Sequence, residues 1–498
     1  MDAPISLSVA SGHHISTFSL TTTSLLVSRT GDKKWPQIET DVYNVIWAEL
    51  TDNNVLEISL LARKKKSAPL SFVQINVNLH DKDKVAANAF TDALMSAAYT
   101  GVKRQRRLKV LVNPKSGPGN AVQHYIKQVE PIFRAARCLI DTTFTTHVKH
   151  GLDIAKELPL DDFDVVVTVS GDGLVHEVLN GFAAHADPTR AFRTPLTPVP
   201  SGSGNGLAVN LLGVQDGYDV AAAALNAVKG LPMSVDLFSV TQKDRRVFSF
   251  MSQVVGLLAD LDLRTERLRF MGSNRFILGY LHGVIVKRRC PVKLSIKVAE
   301  ADKHRMVHNL HNSRSKTTLR SPRAEPPSPD SGPATPKSPL PPMSPLPPLS
   351  LPSATLPELQ HTDADADGWI AFDKPLVYMY AGKGPYVSRD LMQFPVSLPD
   401  DGLIDIVIQE MTSRRVLLHG MEVAHKGEQY WLESQRYLKA QAYRVEPYSK
   451  KGCLAVDGEA YPFEAFQVEV HQGLATLLSP CGFYKVEFDF PGKKKGAP

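Results

Sequence analysis

Apolar and polar positions change their period twice along this chain. Up to about residue 100 they alternate in short runs: Ile15 to Leu20, Ser24 to Ser28, Val42 to Glu49, Val55 to Leu61 and Ser71 to Asn78. A period of two is that of half-buried strands. Turn formers such as Gly31-Asp32 and Asp52-Asn53-Asn54 separate the runs. A helix follows from about Lys82 to Tyr99, apolar at Val85, Phe90, Leu94 and Ala98. From Leu108 the elements alternate. Val110-Leu111-Val112 is a buried strand, Asn120 to Phe133 a helix, Leu139 to Thr146 a strand and His150 to Leu158 a helix. Val165 to Val169 is the central strand, and Val175 to Phe182 is the helix after it. This alternation predicts a parallel α/β sheet with ligands at the carboxyl ends of its strands. After about Leu231 the chain turns strand-rich again, at Leu294 to Val298, Leu376 to Tyr380, Leu403 to Gln409, Ala440 to Glu446, Phe466 to Val470 and Phe483 to Phe490. An antiparallel, sandwich-like second domain is predicted there.

Between about Asp302 and His361 the pattern is interrupted, and 14 of the 36 prolines fall between Pro322 and Pro357. Such a segment cannot bury enough apolar area to offset its ordering entropy, so it reads as a disordered insertion. Ser321, Ser328, Thr335, Ser338 and Ser344 each precede a proline. Proline-directed phosphorylation and a plain flexible linker both fit.

Composition narrows the class. The chain has 498 residues, is 43% hydrophobic and carries a net charge of +6, which allows two or three domains and suits an anionic partner without specifying one. Lys103-Arg104-Gln105-Arg106-Arg107 reads either as a contact for phospholipid or nucleic acid or as a solvated lead-in to a strand. Cys138, Cys290, Cys453 and Cys481 are far apart, which argues against a disulfide framework or zinc knuckle and fits a reducing, cytoplasmic setting. Asp2 follows Met1, so the glycine required for myristoylation is absent. No apolar stretch approaches the ~18–20 residues that span a bilayer, so membrane contact is expected to be peripheral.

The chemistry concentrates in three glycine-containing loops after strands. Ser170-Gly171-Asp172-Gly173-Leu174 places a carboxylate on a glycine-flanked turn between a buried strand and a helix. There, backbone N–H groups and a helix N-terminus can approach phosphate oxygens while the carboxylate takes a proton from an attacking hydroxyl. Asn113-Pro114-Lys115-Ser116-Gly117-Pro118-Gly119 lacks the spacing of a Walker loop, yet its asparagine and lysine can hold phosphate oxygens. Pro200-Ser201-Gly202-Ser203-Gly204-Asn205-Gly206 precedes a helix from Leu207 to Leu212. Each loop alone is an ordinary turn; three at successive strand ends point to nucleotide binding.

Other motifs divide. His176-Glu177 lacks the second histidine of HExxH because Asn180 stands there, so both residues read as structural. Asp363, Asp365 and Asp367-Gly368 imitate an EF-hand start, but Lys374 holds the twelfth position and the segment reads as an acidic turn. Gly256-Leu257-Leu258-Ala259-Asp260-Leu261-Asp262 puts two carboxylates in an apolar run. It is either a lid offering a carboxylate to a cationic head group or a network paired with Arg264, Arg267 or Arg269. Arg269 and Arg275 are placed to clamp phosphate or simply to be solvated. Asp457-Gly458-Glu459 either holds a metal or closes a hairpin.

Taken in order, Asn113-Pro114-x-Ser116-Gly117, Ser170-Gly171-Asp172-Gly173, Pro200-x-Gly202-Ser203-Gly204-Asn205 and Asp457-Gly458-Glu459 resemble the sphingosine (long-chain base) kinases of the diacylglycerol kinase catalytic superfamily. The resemblance covers about Leu108 to Phe490 without the insertion. It implies an α/β nucleotide domain followed by a β-sandwich, with the site between them. It implies Asp172 as general base. It implies an ATP site of Asn113, Pro114, Lys115, Thr145, Ser170, Gly171, Gly173, Gly202, Ser203 and Gly204, with Arg269 and Arg275 on phosphates. Asp457, Gly458 and Glu459 would act at the ATP and Mg²⁺ end, with Asp457 holding the metal. Asp262 would meet the amino group of a sphingoid base, with Ser252 nearby; ceramide kinases lack this second aspartate. Leu257, Leu258 and Leu261, with Val254 and Val255, would receive the lipid chain. The order of elements before residue 100 resembles a pleckstrin-homology-type module, a trait of ceramide kinases. The family often has a basic or small residue where Pro118 stands, and many members have alanine where Gly206 stands.

The expected organisation is thus a β-rich pleckstrin-homology-like module at 1–103, an α/β ATP-binding catalytic domain at 104–230, a β-sandwich lipid-binding domain at 231–301 and 364–490, and a disordered insertion at 302–363. The expected activity is ATP- and Mg²⁺-dependent phosphorylation of a sphingoid base at a peripheral membrane surface, without nucleic acid. Ceramide or diacylglycerol phosphorylation on the same fold, and a catalytically silent membrane adaptor, remain the alternatives.

Overall fold

The computed structural model of the 498-residue chain describes residues 5–11, 14–30, 37–264, 274–286, 289–320, 355–361, 368–372 and 374–491. Strands β1 (Ile5–Ser11), β2 (His14–Leu20), β3 (Ser24–Thr30) and β4 (Ile38–Asp41) form an antiparallel sheet in that order. A second sheet holds β5 (Val45–Leu50), β6 (Val55–Arg63) and β7 (Leu70–Asn78). Helix α1 (Lys84–Ala98) closes them with Phe90, Leu94 and Met95 buried, and Phe90 lies 6.1 Å from Phe18 between ring centroids. The sequence reading missed β1, although Leu7 and Val9 alternate inward as a strand requires.

The next strands, β8 (Arg107–Val112), β9 (Leu139–Phe144), β10 (Val165–Ser170) and β11 (Leu196–Pro200), are parallel in the order β11-β10-β8-β9. Every residue of β10 is buried, as its valine run requires of a strand covered on both faces. The covering elements are α2 (Ala121–His124) and α3 (Glu130–Ala135), joined by a π turn, then α4 (His150–Lys156), α5 (Asp172–Ala183), α6 (Pro188–Arg193), α7 (Gly206–Asp216) and α8 (Val220–Lys229).

Beyond residue 230 the strands are β12 (Leu231–Gln242), β13 (Arg245–Ser249) and β14 (Ser252–Gly256), then α9 (Leu257–Arg264), α10 (Asn274–Val286), β15 (Val292–Glu300) and α11 (Lys303–Arg320). After the insertion come β16 (Ile370–Phe372), β17 (Leu376–Gly382), β18 (Ile404–Glu410), α12 (Arg414–Glu422), β19 (Gln435–Pro447), β20 (Leu454–Val456), β21 (Glu459–Tyr461) and β22 (Phe466–Ser479). These strands pair antiparallel, but they are not a separate sheet. β22 runs against β12 and β19 and then meets β11 in parallel at Leu196 and Leu477, so parallel and antiparallel strands form one mixed sheet. The boundary near residue 230 is a change of strand direction inside that sheet.

Two expectations need correction. The insertion does not begin at 302. Residues 303–320 form α11, which buries Met306, Val307 and Leu310, and at the other end Gln360 and His361 donate their amides to Glu469 at 2.8 and 3.1 Å. Proline content masked the helical spacing of these three apolar residues. The Ser-Pro and Thr-Pro sites, and Asp363 to Asp367, lie outside the described residues. The basic run at 103–107 is not solvated throughout: Arg106 is buried and donates to the Ala227 and Gly230 carbonyls at 2.9 and 2.7 Å, while the part-exposed Lys103 and Arg107 pair with Asp164 at the start of β8. The four cysteines are free thiols. Among the described residues no helix is long and apolar enough to cross a membrane.

The N-terminal sheets share one continuous buried cluster with the α/β layer. Arg63 pairs with Asp216 at 2.7 Å, and the Leu70 amide donates to Asp219 at 2.7 Å. The buried Lys229 ammonium donates to the carbonyls of Tyr43 and Ala98 at 3.0 Å each, and also to that of Val45.

Candidate active site

The three glycine loops leave the carboxyl ends of β8, β10 and β11 and lock into one another. A Cβ on Gly171 would lie 2.6 Å from the Gly204 carbonyl, and one on Gly202 would overlap the Gly171 backbone. Only two bare backbones can pass so closely. Ser201 donates its amide to the Ser170 carbonyl at 3.0 Å, and the Ser170 hydroxyl donates to that of Ser116 at 3.1 Å. Asn205 clasps its own loop: its Oδ1 accepts from the Gly202 amide at 3.1 Å, and its Nδ2 donates to the Gly202 carbonyl at 2.8 Å. In the first loop Asn113 Oδ1 accepts the Lys115 amide at 3.0 Å, leaving the Lys115 side chain exposed.

Asp172 opens α5 where these loops meet. Its Oδ2 accepts the Gly206 amide at 2.7 Å and its Oδ1 the Leu207 amide at 3.2 Å, so the first turn of α7 holds the carboxylate. Burial pushes its pKa up, the two amide bonds pull it down, and the charge of Asp457 raises it again; the result is about 6.

Asp457 sits in the turn between β20 and β21 with φ of 49°. Its Oδ1 accepts the Ser249 hydroxyl and the amides of Met251 and Ser252 at 2.8, 3.0 and 2.8 Å. Its Oδ2 accepts the Phe250 amide at 3.1 Å and lies 2.8 Å from His176 Nδ1. Five groups therefore fill a fully buried carboxylate and tie the β13–β14 turn to α5. That leaves no direction for a metal, against the expected role of Asp457. Glu459, two residues on, is exposed, and its Oε1 lies 3.5 Å from where a Cβ on Gly173 would be. Glu177 accepts the Lys149 and Gly151 amides at 3.0 and 2.9 Å, fixing the loop that follows Thr145.

Residues 107–240 match the family model of the diacylglycerol kinase catalytic domain, and residues 13–100 match that of a domain of unknown function. The chain is 31% identical over 446 residues to sphingoid long chain base kinase 4 of Schizosaccharomyces pombe, covering 89% of this chain and 88% of that protein. The chain belongs to the sphingoid long chain base kinase family. Within it, identity is 30% to sphingoid long chain base kinase 5 of Saccharomyces cerevisiae, over 80% of this chain and 63% of that one. Human sphingosine kinase 2 is 28% identical over 76% of this chain and 71% of that one. A putative diacylglycerol kinase from Bacillus anthracis str. Sterne superposes with a TM-score of 0.50 at 17% identity, over 76% of this chain and 97% of that one, which shows a shared fold.

In this family member the expected residues are spread over the loops, β14, α9 and α10. Asn113, Ser170, Gly171, Asp172, Gly173, Gly202, Ser203 and Gly204 stand together on the interlocked loops. The Thr145 amide is bonded to the Val112 carbonyl at 2.8 Å, beside the first loop. Ser252 is buried on β14, its amide and carbonyl both bonded to Asp457. Leu257 and Leu258 are half-buried on α9 and pack on the cluster that holds Tyr378 and Tyr380, and Leu261 on the same helix is buried. Asp262 lies in α9 and Arg275 in α10; their side chains and Arg269 are outside the described residues.

Sequence reading missed His124, whose Nδ1 lies 3.1 Å from the Ser201 hydroxyl. It also missed Tyr218. Desolvation first, then the charges of Asp172 and Asp390, raise the pKa of its phenol, although the residue stays 43% exposed. Neither residue belongs to a motif, so no local signal marked it.

Proposed function

We propose that this chain is an ATP-dependent lipid kinase that phosphorylates the primary hydroxyl of sphingoid long-chain bases. The observation that carries the reading is the Asp172 carboxylate, buried where three glycine loops meet and held by two amides of α7. With a pKa of about 6 it is ionised at neutral pH and basic enough to accept the hydroxyl proton. The lipid oxygen forms a bond to the γ-phosphorus, the bond to the β–γ bridging oxygen breaks, the proton passes to Asp172 and ADP leaves. The loop glycines bring backbone amides to the phosphates, with Thr145 on the nucleotide side. Positioning supplies much of the rate.

Mg²⁺ supplies neutralisation of phosphate charge when bound, and typically takes one or two carboxylates with phosphates and water. The exposed Glu459 beside Gly173 suits that role, and the filled Asp457 carboxylate instead holds the turn and α5 in register. In this reading Arg269 and Arg275 serve phosphates, Asp262 meets the substrate ammonium, and Leu257, Leu258 and Leu261 face the lipid chain. The N-terminal sheets with α1 act as a pleckstrin-homology-like module, and the antiparallel half is the lipid-side sandwich at a peripheral membrane surface.

The test is ATP-dependent phosphorylation of sphingosine, phytosphingosine, ceramide and diacylglycerol in detergent micelles, beside Asp172→Asn and Asp262→Asn. Turnover of the free bases alone, abolished by the first change and weakened by the second, is expected. Ceramide turnover insensitive to Asp262→Asn would overturn the substrate class, and no turnover of any lipid would overturn the activity.

A further inference from the structure

One loop after β17 forms the rim of the site beside α7, and its backbone is tied to that helix. The Tyr386 amide donates to Asn210 Oδ1 at 2.7 Å, and Asn210 Nδ2 donates to the Tyr386 carbonyl at 2.9 Å. One residue on, the Val387 carbonyl lies 2.5 Å from where a Cβ on Gly206 would be. The loop is thus pressed against the same turn of α7 that holds Asp172. The Val387 amide donates to the Leu391 carbonyl at 3.0 Å and the Leu391 amide to the Ser388 carbonyl at 3.1 Å, which closes a tight turn with Arg389 at its tip.

The Arg389 guanidinium is exposed and lies 6.0 Å from the centroid of the Tyr218 ring. Among the described residues it makes no hydrogen bond and no ion pair. Tyr218 reaches this place because α7 is broken at Gly213, where φ is 83°, and Gly217 packs so closely on Val209 that a Cβ would lie 2.6 Å from its Cα. The chain folds back there and brings the Tyr218 ring beneath the Arg389 tip of the loop. A cation over an aromatic face is partly preorganised, and a guanidinium presents a planar fork that matches phosphate oxygens. Charge points the same way. Asp172 and Glu459 are acidic, Asp390 adjoins Arg389 in the same turn, and a nucleotide phosphate entering there needs cations to meet it. Lys115 offers a cation from the first loop; Arg389 offers one from the rim across α7.

We propose that Arg389 contacts the γ-phosphate of ATP, with Tyr218 as the positioning residue that holds its guanidinium. The assignment rests on the kinase reading above. Its test is calorimetric binding of ATP and of ADP to the full chain, for wild type, Arg389→Ala, Arg389→Lys and Tyr218→Phe. A lost charge-assisted contact to one phosphate predicts that Arg389→Ala weakens ATP about tenfold and leaves ADP unchanged. Arg389→Lys should be intermediate. Tyr218→Phe keeps the ring and should stay within about threefold of wild type. Equal weakening of ATP and ADP, or of neither, would overturn the assignment alone. Wild type that binds neither nucleotide would overturn the kinase reading and this assignment with it.

Discussion

Replacing Asp457 with asparagine separates an organising carboxylate from a metal-binding one. The side chain keeps its shape and loses its charge. Its oxygen can stay at the Oδ1 position, where the Ser249 hydroxyl and the Met251 and Ser252 amides converge. The new amino group then faces the Phe250 amide and His176 Nδ1. His176 can become the acceptor by changing tautomer, but the Phe250 N–H cannot, and it is left buried and unpaired. One such donor costs about 1–3 kcal/mol, and loss of charge assistance in the three remaining bonds adds ~1 kcal/mol. Asp457→Asn should therefore lose about 2–4 kcal/mol, and Asp457→Ala, which strands every donor, about 4 kcal/mol or more. Urea unfolding of the full chain, followed by circular dichroism, measures the shift, and turnover is titrated with Mg²⁺ alongside. An unchanged unfolding midpoint, with activity restored by raised Mg²⁺, would refute the reasoning and return Asp457 to the metal.

Four other outcomes follow. Because Asp172 acts unprotonated and its pKa is about 6, kcat/KM should rise with pH through that value; a flat profile between pH 5 and 7 would count against it as the base. The same shift has a stability sign. The folded pKa lies above the ordinary 3.8, so the folded state holds this proton longer, and the Asp172 contribution to stability falls as pH rises from about 4 to about 6. Gly202→Ala forces its Cβ into the Gly171 backbone, so the loops must part at a cost of about 1–3 kcal/mol; ATP affinity measured by calorimetry should fall while secondary structure by circular dichroism stays. Asp219→Ala removes the cap on the Ala221 and Ala222 amides and the acceptor of the Leu70 amide, about 2 kcal/mol in all. Limited proteolysis should then cut between the N-terminal sheets and α8 faster than in wild type.

What the sequence made legible was local. The interlocked loops are contiguous motifs whose glycines announce a close backbone approach, and the valine run of β10 announces burial on both faces. The parts that escaped are those made by contacts between distant residues. Asp457-Gly458-Glu459 was visible as a carboxylate turn, but its five donors come from α5 and the β13–β14 turn, about 200 or more residues away in sequence, and nothing local distinguishes a filled carboxylate from a metal-binding one. Tyr218 and Arg389 carry no pattern, and only the break at Gly213 and the docking of Tyr386 on Asn210 bring them to the site. By contrast α11 was readable: Met306, Val307 and Leu310 recur at helical spacing, but the prolines beyond them dominated the composition. The single mixed sheet was hidden because β22 is one long strand whose two ends choose different neighbours.

The seam at α8 changes what the N-terminal hundred residues are for. All ten residues from Val220 to Lys229 are buried, so this helix has no face of its own to show water. A polypeptide starting near residue 104 would leave alanines and valines wet and an ammonium stripped of the Tyr43, Val45 and Ala98 carbonyls. The N-terminal sheets are accordingly a shared wall of the catalytic body. Gln215 near the end of α7 donates to the Lys66 carbonyl in the β6–β7 hairpin at 3.1 Å, while the start of the same helix grips Asp172. The Gly213 break lies between Gln215 and the Asp172 grip, so movement of that hairpin reaches the catalytic base only across a bend, which Gly217 packed on Val209 holds closed.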